Sequence, residues 1–390
     1  MADGAVTSSP LTGDAYLKLA GEMVPQVQAV ADEINRTREL PEQLANTLAD
    51  QGLFRLLVPR SLGGAELDFL QYLAIVQTFG EADGSTGWCI NQNNVFATHS
   101  AIMPKETAQE IWRDQRAVVA NGPPSPAKAA PCDGGYLLTG RWNFSSGCRH
   151  ARWLASLTPI DYGDGPRERP EDLRLMVFKK EEATMIDVWD VNGLRGTGSF
   201  SFEVNGLFVP EVRTFSPTAT PWDSGPLYIL PISLKFASGF ACVALGVARA
   251  GLNSAIALAG AKTPRGDQSV LSKSSAVQRQ VGQAEATWSS ARAFLLEAAG
   301  SAWDSACRDG ILSVEQRIRL RLAATNAIRM SADVVDIAYN ICGADAIFGS
   351  NPIQRRFQDI HVITQQIQGR MAHYETAGQF YLGLEPEGLY

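Results

Sequence analysis

Apolar residues recur at three- and four-residue intervals through the first third of the chain, which places them on single helical faces. They run through Leu17, Val24, Val27, Val30, Ala31 and Ile34, then Leu44, Leu48, Leu53 and Phe54, then Phe69, Leu73, Val76 and Phe79. Pro25 is expected to start or bend the first of these helices, and Pro41 to sit in the first turn of the second. From Asn121 the texture changes. Pro123, Pro124, Pro126 and Pro131 exclude a long helix, and alternation of period two follows. Five strands are expected, at 136–144, 153–157, 173–179, 200–204 and 207–209, the last two joined by a hairpin at Asn205-Gly206. A polar loop covers 161–170, and 221–231 reads as an exit linker. Helical spacing then returns over 277–300 and 314–341, with Arg292, Arg317, Arg319, Arg321 and Arg329 on exposed or intersubunit faces. Gly239, Ala241, Ala244, Gly246, Ala248, Ala250 and Gly251 allow close helix approach.

This pattern gives a mainly α chain with a central β domain: an N-terminal helical domain (1–122), an antiparallel sheet or barrel (123–228) and a bundle of about four long helices (229–390). A length of 390 residues suits two or three domains, and 45% hydrophobic with 19% charged residues suits a packed core. The balance of 34 basic against 41 acidic residues gives −7, with no basic cluster, so no nucleic-acid partner is expected. The 6 cysteines are scattered without a Cys-x-x-Cys pair, so neither a metal site nor a disulfide framework is expected. Reduced thiols, and a start at 1–14 without the basic and apolar regions of a signal peptide, place the protein in the cytoplasm. The apolar run 236–248 is shorter than the roughly 18 residues of a membrane span and reads as a buried helix.

Two stretches carry candidate chemistry. The first runs from Asp133 to Cys148 and ends in Phe144, Ser145, Ser146 and Gly147; the second, 190–199, contains Arg195, Gly196, Thr197 and Ser199. Hydroxyls, accessible backbone and a forked cation suit a planar polar ligand, although tight glycine-rich turns have the same composition. A third stretch, Trp88 to Asn94 with Gln92, followed by Phe96 and His99, is either a polar helix face or a pocket wall. No Gly-x-Gly-x-x-Gly follows a strand, so a Rossmann nicotinamide site is not indicated.

The domain order, the run Gly140-Arg-Trp-Asn-Phe-Ser-Ser-Gly-Cys-Arg-His-Ala-Arg-Trp153, Gly193-Leu-Arg-Gly-Thr-Gly-Ser199 ahead of Phe208-Val-Pro-Glu211, and Arg355-Arg-Phe-Gln-Asp359 together resemble the acyl-CoA dehydrogenase superfamily. Within it the chain is similar to the two-component flavin-dependent monooxygenases. The resemblance implies FMN or FAD, used in reduced form, between the β domain and the bundle. Ser146 would lie near flavin N5, flanked by Phe144, Ser145 and Gly147. Arg195, Gly196, Thr197 and Ser199 would shape the cleft, with Asn121 and Ser125 on the pyrimidine side. An apolar pocket would contain Trp88, Gln92 and Phe96.

A dehydrogenase of this superfamily needs a carboxylate to remove a carbon-bound proton. No acid occurs between Asp223 and Asp267, and the other site for that base reads Thr364-Gln-Gln-Ile-Gln-Gly369. The branch's histidine is replaced by Gln366, which cannot exchange a proton near neutral pH. His99 and His361 are the remaining candidates for a base; His150 is read as a supporting hydrogen bonder. The expected function is therefore a reduced-flavin monooxygenase that forms a C4a-hydroperoxyflavin and oxygenates a small aromatic or heteroatom compound. Molecular oxygen and a separate flavin reductase would be its partners, and a homotetramer its assembly. An acyl-CoA dehydrogenase or oxidase with a displaced base, and a silent flavin-binding relative, are the alternatives.

Overall fold

The computed structural model describes residues 11–163, 165–167, 169 and 172–390. The reading of residues 1–10, and the part of the 161–170 loop at 164, 168 and 170, lie outside the described residues. Six helices open the chain: α1 (Gly13–Ala29), α2 (Ala31–Thr37), α3 (Glu42–Asp50), α4 (Phe69–Ala82), α5 (Gly84–Ala97) and α6 (Lys105–Trp112). Side-chain caps set the starts that matter for the site. Asp68 accepts from the Leu70 and Gln71 N–H groups ahead of α4, and Asp83 accepts from Thr86 N ahead of α5. Pro25 does not end α1, which runs through it and buries Tyr16, Ala20, Met23 and Val27.

The sheet comprises β1 (Val119–Gly122), β2 (Pro124–Cys132), β3 (Gly135–Ser145), β4 (Trp153–Asp161), β5 (Pro166–Arg167), β6 (Leu173–Lys179), β7 (Thr184–Ile186), β8 (Phe200–Pro210) and β9 (Thr214–Phe215). Its order is β7-β8-β3-β2-β4-β6-β9, with β1 and β5 also paired to β4. Two sequence expectations change here. The sheet is mixed, because β1 runs parallel to β4 and begins within the segment assigned to the helical domain. Asn205-Gly206 is not a hairpin. The long β3 pairs with the whole of β8, so the two residues are absorbed as a bulge between the Leu138–Leu207 and Gly140–Val204 pairs. Gly206 takes the positive φ of 66° this requires, and its N–H donates to Thr139 Oγ1 at 2.9 Å.

After the sheet come α7 (Pro226–Ile229), α8 (Ile232–Ala261), α9 (Ser275–Asp309), α10 (Val314–Cys342), α11 (Pro352–Gln365) and α12 (Ala372–Tyr381). The expected linker thus contains α7. Helix α8 is long and apolar enough to cross a membrane by composition, but it packs among α4, α5, α10 and α11 and is buried from Ala237 to Ala248. Its small residues set how closely it is packed: a Cβ on Gly246 would stand 2.5 Å from Gln77 O and Glu81 N on α4. Arg321 departs from the expected exposed face. It is fully buried and donates to the Leu389 carbonyl, the Ser233 carbonyl and Gln368 Oε1.

Candidate functional site

At the end of β3, Phe144 adopts a positive φ of 53°, which turns its ring outward, 64% exposed and edge-on to Trp189. The chain then dips back in, burying Ser145 and Ser146. Gly147, at φ 78°, donates its N–H to Thr197 O at 2.9 Å, so the two serine- and glycine-rich stretches are joined by backbone.

Side chains extend that junction. Thr197 Oγ1 lies 2.9 Å from the Leu194 carbonyl, 2.7 Å from Ser199 Oγ, and Ser199 Oγ lies 2.7 Å from Ser146 Oγ. Trp88 Nε1 reaches Ser146 Oγ at 3.0 Å. A hydroxyl has one proton, and a carbonyl only accepts. Thr197 therefore donates to Leu194, Ser199 to Thr197, and Ser146 to Ser199, while the Trp88 indole donates to Ser146. The direction of the chain is fixed from both ends, leaving Ser146 with one free lone pair and no free proton. Beside it, Ser145 Oγ is buried without a partner.

Helix α5 supplies the opposite wall. Trp88 stacks on Phe240 of α8 with centroids 3.9 Å apart, and Phe240 stacks on Phe236 at 5.9 Å. The amides divide by role. Asn94 accepts from Leu56 N and donates to Leu53 O and Ile90 O, pinning α5 to the loop that follows α3. Asn93 Nδ2 donates to Val119 O, and its Oδ1 lies 3.2 Å from His150 Nε2. Gln92 Nε2 donates to Asn121 Oδ1 at 3.0 Å, bringing two expected site residues together. Phe96 packs on the His99 ring at 4.6 Å. His99 Nδ1 faces the Phe96 carbonyl at 3.0 Å, so this nitrogen carries the proton and Nε2 keeps a lone pair. Burial lowers both the His99 and His150 imidazoles to about 4, which keeps them neutral at pH 7.

Other expected residues serve the frame. Arg195 donates through Nε to the Asn35 carbonyl and through Nη1 to the Val191 carbonyl, which ties its turn to α2. Gly196 donates to Ser85 Oγ at 3.1 Å, and a Cβ there would stand 2.0 Å from Ile34. His361 Nε2 lies 2.9 Å from Asp336 Oδ1 and ties α11 to α10. Gln366 Oε1 accepts from Gln368 N at 2.7 Å and closes the turn after α11. Ser125 is on an exposed stretch of β2.

Two contributors carried no sequence assignment. Phe240 was one apolar position among many in α8. Asp359 of α11 accepts from Leu194 N at 2.6 Å and so fixes the 193–199 turn from the bundle side. Its other oxygen is buried without a partner, and burial, reinforced by Asp83, raises its carboxyl to about 6. The signal for it was its place at the end of the Arg355-Arg-Phe-Gln-Asp359 motif.

Fold and site together define an oxidoreductase of acyl-CoA dehydrogenase architecture. Residues 19–110 match the acyl-CoA dehydrogenase N-terminal domain and residues 238–369 the acyl-CoA dehydrogenase C-terminal domain. The indole-3-acetate monooxygenase of Pseudomonas putida is 31% identical over 91% of this chain and 90% of its own length. The flavin-dependent monooxygenase oxygenase subunit HsaA of Mycobacterium tuberculosis is 27% identical over 89% of this chain and 90% of its own. A crystal structure of that monooxygenase superposes with a TM-score of 0.88 and 25% identity, covering 97% of this chain and 99% of the other. The FADH2-dependent resorcinol hydroxylase oxygenase component of a Rhizobium strain is 27% identical over the full length of both. The chain belongs to the acyl-CoA dehydrogenase family, in its branch of flavin-dependent monooxygenase oxygenase components.

Proposed function

We propose that this monooxygenase takes FMNH2 or FADH2 from a separate reductase and oxygenates a small aromatic compound, indole-like in size, lying against Trp88, Gln92, Phe96 and Phe240. The residues present fit a flavin. The outward Phe144 ring, the unpartnered Ser145 hydroxyl and the free lone pair of Ser146 together offer a planar face and a polar edge. Ser146, Ser145, Phe144 and Gly147 would hold the ring, with Thr197 and Ser199 behind them. Arg195 and Gly196 shape that turn, and Asn121 and Ser125 occupy the strands beside it.

When bound and reduced, the flavin supplies two electrons and two protons, so that O2 yields one oxygen atom in the substrate and one in water. The protein's part is positional. Ser146 Oγ, its own proton committed to Ser199, accepts a hydrogen bond from an N–H, and only the reduced flavin carries one at N5. Trp88 holds Ser146 from the α5 side, and its stack with Phe240 keeps bulk water from the hydroxyl chain. His99, kept neutral by burial with its proton on Nδ1, would accept a hydrogen bond at Nε2 from a substrate hydroxyl. A dehydrogenase would need another acid as its base, and Glu375, the acid on α12, is exposed.

The observation that carries this reading is the directed hydroxyl chain ending at Ser146. We also place the protein in the cytoplasm as a homotetramer. The exposed Ile347, Phe348, Tyr381, Leu382 and Leu384 support burial of those ends against other copies. The test is incubation with chemically reduced FMN or FAD, oxygen and indole-3-acetate. A hydroxylated product is expected; hydrogen peroxide as the sole product with either flavin, across a panel of indoles and phenols, overturns the reading.

A further inference from the structure

The seam between α5 and α8 has a second end. Trp88 meets Phe240 at the end nearest Ser146, Asn91 meets Gly239 in the middle, and beyond them stand His99 and Lys235. Lys235 lies five residues before Phe240, about 7 to 8 Å along the helix, and its side chain leans further that way. It is only 4% exposed. Its ammonium donates once, to the Leu227 carbonyl at 3.1 Å, and among the described residues it makes no ion pair. An ammonium has three donors, and a buried one without a counter-charge is costly to fold.

The groups around it are aromatic and neutral. Phe236 is its neighbour on α8 and touches both hydrophobic clusters of the protein, and the His99 ring lies between Phe96 and Phe215. An aromatic seam thus begins at the reacting end and finishes at a buried cation with two donors unused.

We propose that Lys235 is the acid-recognising end of the substrate site, and that the substrate is an aromatic compound bearing a carboxylate. This rests on the placement of the substrate along α5 and α8 given above. The carboxylate accepts the two remaining ammonium protons and supplies the counter-charge that the fold omits. The aromatic body then extends along Phe236 and Phe240 toward Trp88. Burial, which lowers the lysine to about 7, agrees with a site whose charge is completed by its ligand.

The test measures binding of phenylacetate and naphthalene-1-acetate, and of the corresponding uncharged amides, to the flavin-loaded protein by calorimetry, for the wild type, Lys235→Met and Lys235→Arg. The wild type is expected to bind at least one acid tenfold or more tightly than its amide. Lys235→Met should erase that preference, chiefly by weakening the acid, and Lys235→Arg should keep part of it. Equal binding of acids and amides by the wild type, binding of neither, or an acid preference that survives in Lys235→Met overturns the proposal. Flavin affinity, titrated in the same samples without aromatic ligand, separates the two readings. Tight reduced-flavin binding with no acid preference sinks only the lysine's role, whereas absence of flavin binding sinks the placement of the site itself.

Discussion

Thr197→Val tests the direction of the hydroxyl chain. Valine matches threonine in shape but cannot accept the Ser199 proton. Ser199 is 2% exposed, and the hydroxyl left within reach is Ser146, 2.7 Å away, so the Ser199 proton turns round. Ser146 is then free to donate outward. That suits oxidised flavin, whose N5 carries a lone pair, and removes the match to the N5–H of the reduced form. A neutral hydrogen bond contributes about 1 kcal/mol net, and one is gained by the oxidised form while one is lost by the reduced form, so the ratio of the oxidised to the reduced dissociation constant should fall about 30-fold. The potential of the bound two-electron couple should fall by about 40 mV. The folding cost is small, on the order of 1 kcal/mol, because the Leu194 carbonyl keeps its bonds from Thr197 N at 3.1 Å and Trp189 Nε1 at 3.3 Å. The assay is a pair of anaerobic titrations, with oxidised and with photoreduced flavin. A folded variant with an unchanged ratio refutes the chain direction, and with it the acceptor role of Ser146.

Asp359 and Gly239 give independent checks. The Asp359 carboxyl stands at about 6 in the fold against an ordinary 3.8, so the folded state holds the extra proton between these values. Stability should therefore fall as pH rises from about 4 to 6, a penalty of about 3 kcal/mol that persists above pH 6. Asp359→Asn, which keeps an oxygen for Leu194 N, should flatten that slope in urea titrations across the window and be the more stable protein at pH 7. A Cβ on Gly239 would stand 1.8 Å from Asn91 Oδ1, so Gly239→Ala should force α5 and α8 apart and cost about 1–3 kcal/mol. Gly282→Ala on the open face of α9, where nothing lies within 4 Å, should instead raise the melting temperature.

Much of the frame was legible because it is written in local chemistry. Phe69, Leu73, Val76 and Phe79 fall at helical spacing behind a capping Asp68, and α4 forms there. Tyr136 and Leu138 alternate with more exposed neighbours, and β3 follows that alternation. What misled was chemistry decided by distant partners. Asn-Gly favours a hairpin locally, yet the eleven residues of β3 pair with both sides of it and convert the turn to a bulge. Arg321 reads as a surface cation, but Leu389, Gln368 and Ser233 arrive from remote segments to take its protons. The same holds at the site. The serine- and glycine-rich stretch draws attention to Ser146, whereas the proton direction depends on Trp88, Ser199 and Thr197, whose meeting no spacing shows. Arg195 stands out in the sequence as a forked cation, but its tie to the Asn35 carbonyl of α2 is set by a distant partner that no local spacing shows.

The central claim is that this chain directs one atom of O2 into a substrate at the expense of reduced flavin. A single turnover under 18O2, with reduced flavin bound and an aromatic acid present, followed by mass spectrometry of the product, tests it most directly. The account predicts one 18O atom in the product for each flavin oxidised, with the other recovered in water. Product lacking 18O, or complete conversion of the electrons to hydrogen peroxide in the presence of bound aromatic acid, contradicts it.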